Sequence, residues 1–210
     1  MTVSEFSSLG LNPTLVATLK GANYTDPTPI QAQSIPLIMS GHDVMAGAQT
    51  GTGKTAAFAL PILHQLLASK DPDAPVTVKA LVLAPTRELA QQIHKNFEKY
   101  SESTSIKVGL AYGGASLGPQ ITALKAGVDV LVATPGRLID HLFKQSVTLK
   151  DLSYLVFDEA DRMLDMGFKD EINMILKRTP KDRQTLLFSA TLDDAIFKLS
   201  KTLLNKPKLV

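Results

Sequence analysis

Six short apolar runs, each followed by a longer segment of different spacing, constrain this chain most. They occupy residues 44–46, 80–83, 108–110, 130–132, 154–157 and 185–188, and are rich in Val and Leu. A continuous apolar run, unlike an alternating one, suits a strand buried on both faces of a parallel sheet. The segments between them read as helices. Residues 55–68 carry Phe58, Leu60, Ile62, Leu63, Leu66 and Leu67, and residues 88–100 place Leu89, Ile93 and Phe97 four apart. Strand then helix, repeated, predicts an α/β domain with a mostly parallel sheet and helices on both faces. The 210 residues suit one large domain, and an apolar fraction of 44% suffices for its core. The stretch 70–75, with two prolines and two aspartates, reads as a surface loop.

Composition excludes several classes. Cysteine is absent, which removes disulfides and thiolate zinc sites and fits a reducing compartment. Residues 1–11 lack the apolar core of a secretory signal, and no run approaches the ~20 apolar residues of a membrane helix. A net charge of +2 does not announce nucleic-acid binding, although a local basic edge would suffice for it. The four histidines, His42, His64, His94 and His141, show no ligand spacing and read as surface or packing residues. Lys198, Lys201, Lys206 and Lys208 read as a solvated helix face and tail.

Sheets of this kind bind ligands at the carboxyl ends of their strands, so the residues just after each strand carry the most information. After the first run comes Ala48-Gln49-Thr50-Gly51-Thr52-Gly53-Lys54-Thr55. This is a phosphate-binding loop, departing from the general pattern only at Ala48. Its glycines let backbone N–H groups turn inward on phosphate oxygens, and the helix beyond adds its positive end. Lys54 supplies a charge for the outer phosphates and Thr55 a hydroxyl for Mg²⁺. The run 154–157 ends in Asp158-Glu159-Ala160-Asp161. Alone, such acids are ordinary company for a helix N-terminus. Paired with the phosphate loop, Asp158 becomes the candidate Mg²⁺ partner through water, and Glu159 the candidate base for an attacking water.

Asp158-Glu159-Ala160-Asp161 is also the literal signature of the DEAD-box ATP-dependent RNA helicases, and the chain resembles the first, RecA-like half of that family from Phe6 to its end. Phe6 and Tyr24-Thr25-Asp26-Pro27-Thr28-Pro29-Ile30-Gln31 are similar to the adenine-reading Q motif, within residues 1–31. Ala48 is normal in the family's own phosphate loop. Pro85-Thr86-Arg87, Gly113-Gly114 and Thr134-Pro135-Gly136-Arg137 resemble its RNA-contacting motifs. Ser189-Ala190-Thr191 resembles the motif that couples ATP and RNA sites by bonding the segment containing Asp161. The run 162–168 is similar to bacterial members, the RhlE-like subgroup among them.

The resemblance implies ATP and Mg²⁺ as ligands, RNA as a backbone-read partner of low sequence preference, and a cytoplasmic, monomeric, membrane-free domain. It also implies a second RecA-like domain in the same protein, since no arginine-finger segment occurs within residues 1–210. Each role has a plainer counterpart. Gln31, with an amide donor and acceptor, matches adenine's amine and ring nitrogen, or is simply a polar helix-start residue. Phe6 lies against adenine or anchors the N-terminus in the core. Arg87 and Arg137 grip phosphates, or pair with Glu88 and Asp140. Ser189 and Thr191 couple two sites, or end a strand whose next helix Asp193 or Asp194 caps. A module that binds ATP or RNA without turnover, and a DNA-directed motor, are the competing functions.

Overall fold

The computed structural model describes residues 5–210; residues 1–4, the start of the 1–31 region, lie outside the described residues. A 3-10 turn (Phe6–Leu9) and two helices, α1 (Pro13–Gly21) and α2 (Pro29–Met39), lead into β1 (Val44–Gly47). Next come α3 (Lys54–Ser69), β2 (Ala80–Leu83), α4 (Arg87–Ser101), β3 (Val108–Ala111), α5 (Leu117–Lys125) and β4 (Val130–Ala133). The chain continues through α6 (Pro135–Phe143), β5 (Tyr154–Phe157), α7 (Ala160–Asp165), α8 (Lys169–Leu176), β6 (Gln184–Ser189), α9 (Asp194–Leu203) and β7 (Lys208–Leu209). All six apolar runs are strands.

The strands form one seven-stranded sheet in the order β3-β4-β2-β5-β6-β1-β7, and every pairing is parallel. Successive strand residues point to opposite faces. Val44 and Ala46 therefore join a core with α2, α3 and α4, while Met45 joins the core under α6, α8 and α9. The same split divides Ala80 and Val82 from Leu81 and Leu83. Two buried faces explain why these runs are apolar throughout. On the first face Phe58 packs edge-on to Phe188 at 5.2 Å between ring centroids. No helix among the described residues is long and apolar enough to cross a membrane.

Helix starts obey local chemistry. Thr28 and Gln31 form a reciprocal capping box at α2, with Pro29 at its first turn. Thr86 accepts from Leu89 N–H at α4, and Asp193 from Ile196 N–H at α9. One element has no counterpart among the expected strands. β7 is a two-residue edge strand paired with β1, formed from part of the basic tail. Its backbone pairing depends on β1 being near, which no local pattern announces.

Candidate functional site

The sheet order sorts the motifs by position. The loops after β1 and β5 flank the loop after β6, because β6 lies between those strands. The loops after β2, β3 and β4 lie together on the other side of β5. The phosphate loop and the acidic segment thus meet at one part of the sheet's carboxyl edge, and the three basic or glycine-rich motifs share an adjoining part.

At the first part, Gly51 and Gly53 have φ of 84° and 82°, a left-handed backbone that glycine adopts without a Cβ clash. They bring the chain round into α3, which begins at Lys54. The Lys54 side chain is 7% exposed and places Nζ 3.1 Å from Asp158 Oδ1 and 3.6 Å from Glu159 Oε1. Asp158 is fully buried. Its Oδ1 also accepts from Glu159 N–H at 2.9 Å, while its Oδ2 has no partner among the described residues. Burial pushes the Asp158 carboxyl above the usual carboxylate range; the Lys54 ammonium and the Glu159 N–H pull it back in part, and the Glu159 charge adds to the rise. Glu159 has φ 53° and ψ 53°. A non-glycine residue held there carries strain of about 1–2 kcal/mol. That strained turn aims Oε1 back toward Lys54 and Oε2 toward Arg162, at 3.6 Å each.

An unpartnered buried carboxylate oxygen beside a phosphate loop fits Mg²⁺ held through water. Among the described residues no group of three or more His, Cys, Asp or Glu side chains forms a cage. Asp158, through water, and the Thr55 hydroxyl would hold such a cation, which would supply positive charge to the phosphate oxygens.

A cleft of about 420 Å³ opens over this loop, lined by Gly51, Gly53, Lys54, Thr55, Glu159, Gln31 and, farther out, Phe6 and Tyr24. Thr50 also lines it, whereas Thr25 and Thr52 do not. Thr25 instead fixes the N-terminal segment, its carbonyl accepting from Phe6 N–H at 3.1 Å. Thr52 supports the loop, with its carbonyl bonded by the Thr28 hydroxyl at 2.9 Å. Phe6, 3% exposed, belongs to the core and also lines the cleft. Gln31 is held twice. Its Oε1 accepts from Thr28 N–H and its Nε2 donates to Gly53 C=O, both at 2.9 Å. One amide hydrogen and one lone pair remain free, in an orientation those bonds fix. Gln92, Asn96 and Tyr100 of α4 also line the cleft, and periodicity marks them only as the helix's polar or flanking positions. Burial, with the neighbouring Tyr24, pushes the Tyr100 phenol up to about 12, so it is a neutral hydrogen-bonding group.

At the second part, Arg87, Gly114 and Gly136 are exposed while Pro85, Thr134 and Pro135 are buried. The Arg87 guanidinium lies 5.0 Å from the centroid of the Tyr112 ring, beside Gly114, and makes no ion pair with Glu88 among the described residues. Arg137 is placed differently. Both its terminal nitrogens donate to the Ala115 carbonyl at 3.0 Å, and one also reaches Gln120 Oε1 at 3.3 Å. Its Nε stands 3.5 Å from the half-exposed Asp140, a pair of little energetic weight. Buried Gln120 donates to Tyr112 C=O at 3.0 Å, and buried His141 bonds Gln120 Oε1 at 3.1 Å and Ser146 Oγ at 2.7 Å. Burial, aided by the Arg137 charge and opposed in part by Asp140, lowers the His141 pKa. Arg137 thus stitches the Gly113-Gly114 loop to α6 from inside. Gln120 and His141 complete the stitch, and neither carries a local motif that would single it out.

The third segment follows β6 and lies within the first part. Thr191 donates to Asp161 Oδ2 from its N–H at 3.2 Å and its hydroxyl at 3.3 Å. Ser189, expected to share that bond, does not: it ends β6 pointing into the protein, and its Oγ has no partner among the described residues. Asp193 caps the helix after it, accepting from Ile196 N–H at 3.0 Å.

Known proteins are similar to this chain in sequence. The "DEAD-box ATP-dependent RNA helicase CshA" of Streptococcus pneumoniae is 45% identical over 206 residues, which cover 98% of this chain and 38% of that protein. The "ATP-dependent RNA helicase DeaD" of Buchnera aphidicola is 48% identical over 209 residues, covering 98% and 33%. The "ATP-dependent RNA helicase DDX42" of Homo sapiens is 44% identical over 207 residues, covering 97% and 22%. The chain therefore spans well under half the length of each of these relatives. The family model described as DEAD/DEAH box helicase matches residues 28–199, which include the acidic tetrad, the phosphate loop and the segment ending in Thr191. With four fifths of its length matched by that model, the chain belongs to the DEAD/DEAH box helicase family.

Proposed function

We propose that this chain is the ATP-Mg-binding half of a two-domain RNA helicase, in which ATP hydrolysis drives local opening of RNA duplexes. The observation carrying this reading is the meeting of Lys54, Asp158 and Glu159 across β6, with Gln31 held over the same cleft. Lys54, Thr55 and the loop N–H groups bind the phosphates. Mg²⁺, when bound, neutralises charge on the β- and γ-oxygens. Glu159 takes the proton of the attacking water. Arg87 and the Gly113-Gly114 backbone grip RNA phosphates, and the Thr191–Asp161 contact carries the nucleotide state toward that face. The names of the relatives, all RNA helicases, support RNA as the partner.

Calorimetric titration of ATP and GTP tests the adenine-reading role. The free hydrogen and lone pair of Gln31 match adenine's ring nitrogen and amine, whereas guanine offers an acceptor where the amine would be. ATP is expected to bind tighter by about 5–150-fold, the range for one bidentate base contact. In Gln31→Ala that preference should collapse toward unity. Equal affinities in the parent protein would sink the assignment.

RNA binding separates the two arginines. A residue that neutralises a phosphate contributes about 0.7 to the slope of log affinity against log salt for a single strand. Arg87→Ala should reduce the slope by that amount. Arg137→Ala should weaken binding with the slope unchanged, because its guanidinium holds the Ala115 carbonyl rather than a phosphate. Fluorescence anisotropy with a labelled oligouridine at several salt concentrations measures both; a slope change in Arg137→Ala would return that side chain to the RNA face.

A further inference from the structure

The opposite edge of the sheet carries a second, larger concavity of about 650 Å³. It is built by segments that precede strands: residues 76–78 before β2, residues 127–128 before β4, and residues 147–150 before β5. Strands of four residues at about 3.3 Å each separate it from the carboxyl edge by about 13 Å. A ligand here would touch neither the nucleotide cleft nor Arg87.

Three features define its chemistry. Its floor is aliphatic, made by buried Val78, Leu124, Val128, Leu142 and Leu149. Its rim carries exposed Lys125, Lys150 and Arg178, and the lining includes no Asp or Glu. Lys125 and Arg178 stand at the carboxyl ends of α5 and α8, so part of their charge offsets those helix ends; Lys150 belongs to no helix. The third feature is backbone. No hydrogen bond among the described residues uses the main-chain N–H or C=O of Val76, Thr77, Val78, Val147 or Thr148. Main chain without hydrogen-bond partners beside an apolar floor is a template for an added strand.

We propose that this groove docks an extended acidic segment of a partner protein, in which carboxylates alternate with aliphatic side chains. The added strand bonds the free backbone of residues 76–78, its aliphatic side chains enter the floor, and its carboxylates meet Lys125, Lys150 and Arg178. RNA fits the charge but not the surface. The lining holds no aromatic side chain on which a base could stack, and the neighbouring Phe143 ring already has Arg178 over it at 5.2 Å.

The test uses the ¹⁵N-labelled chain titrated with an eight-residue peptide of alternating Asp and Val, with a Lys-Val peptide and octauridine as comparisons. Expected are saturable amide shifts at residues 76–78, 124–128 and 147–150 from the Asp-Val peptide, weakening as salt is raised. Methylating the peptide's alternate backbone nitrogens should abolish them. Lys150→Glu, at a position that belongs to no helix, and Lys125→Ala/Lys150→Ala/Arg178→Ala alter only exposed side chains; the triple variant should lower peptide affinity at least about tenfold, the single variant should lower it in the same direction, and ATP affinity should stay unchanged in both. The proposal is overturned by absence of these shifts at about 1 mM Asp-Val peptide, by equal binding of the Lys-Val peptide, or by octauridine shifting the same amides more strongly.

Discussion

Lys54→Ala is expected to lose both triphosphate affinity and fold stability, and the two losses should be separable. Lys54 supplies a charge-assisted bond to outer phosphates, and truncating such a buried charged contact costs about 2–5 kcal/mol, so ATP affinity should fall by about thirtyfold or more. AMP, lacking those phosphates, should bind nearly as before. The stability loss has another origin. With Lys54 gone, Asp158 keeps one N–H bond and no cation, and leaving one partner of a buried pair alone typically costs about 3–5 kcal/mol. Protonation of Asp158 caps that loss. A carboxyl whose folded pKa lies above its unfolded value of 3.8 binds more protons folded than unfolded, so its contribution worsens as pH rises through that window. Removing Lys54 widens the window, so the variant's deficit in chemical denaturation should shrink on acidification from pH about 8 toward about 5. Lys54→Ala/Asp158→Asn should regain stability without regaining ATP. A deficit independent of pH, or ATP recovered in the double variant, would contradict the pairing described.

Glu159→Gln should produce the largest functional change, measured as phosphate release with saturating RNA by the two-domain protein proposed above. An amide keeps the shape of the carboxylate but cannot accept the water's proton. General-base assistance contributes about 10²–10⁴ in rate, and turnover should fall within that range while ATP affinity holds. The fold should hold too. Glu159 gives up only two contacts of 3.6 Å, to Lys54 and to partly exposed Arg162, and Gln meets the same left-handed backbone with the same Cβ. In the isolated chain the effect should be smaller, because turnover there is expected to be slow already: Lys54 is the one Lys or Arg in the cleft's described lining, and Arg162 stands outside that lining against Glu159. Transition-state charge is then incompletely compensated, and an added arginine finger raises such rates by about 10³–10⁵. Brisk RNA-stimulated turnover by residues 1–210 alone would falsify this division of labour.

Contiguous residues were enough for much of this protein. Each buried strand announces itself because a strand covered on both faces must be apolar at every position, as in Ala80–Leu83 and Val130–Ala133. Gly51-Thr52-Gly53-Lys54-Thr55 and Asp158-Glu159 carry their chemistry in adjacent residues, so their roles are readable before any folding. What tertiary structure alone decided is how each polar group is occupied. Gln31 engages Gly53 across 22 positions, Arg137 engages Ala115 across 22, and Gln184 and Asp43 tie β6 and the tail to β1 across more than 140. Hydrogen-bond partners are set by distance in space, and a side chain's free valence is what remains after those partners are met. Periodicity reports which face a residue takes, not which atom meets it. That is why the local pattern left Arg137 between a phosphate contact and an ion pair while only the fold shows its guanidinium on the Ala115 carbonyl, why Thr191 rather than Ser189 bonds Asp161, and why the two-residue β7 and the groove at the amino edge left no mark in the chain's local pattern.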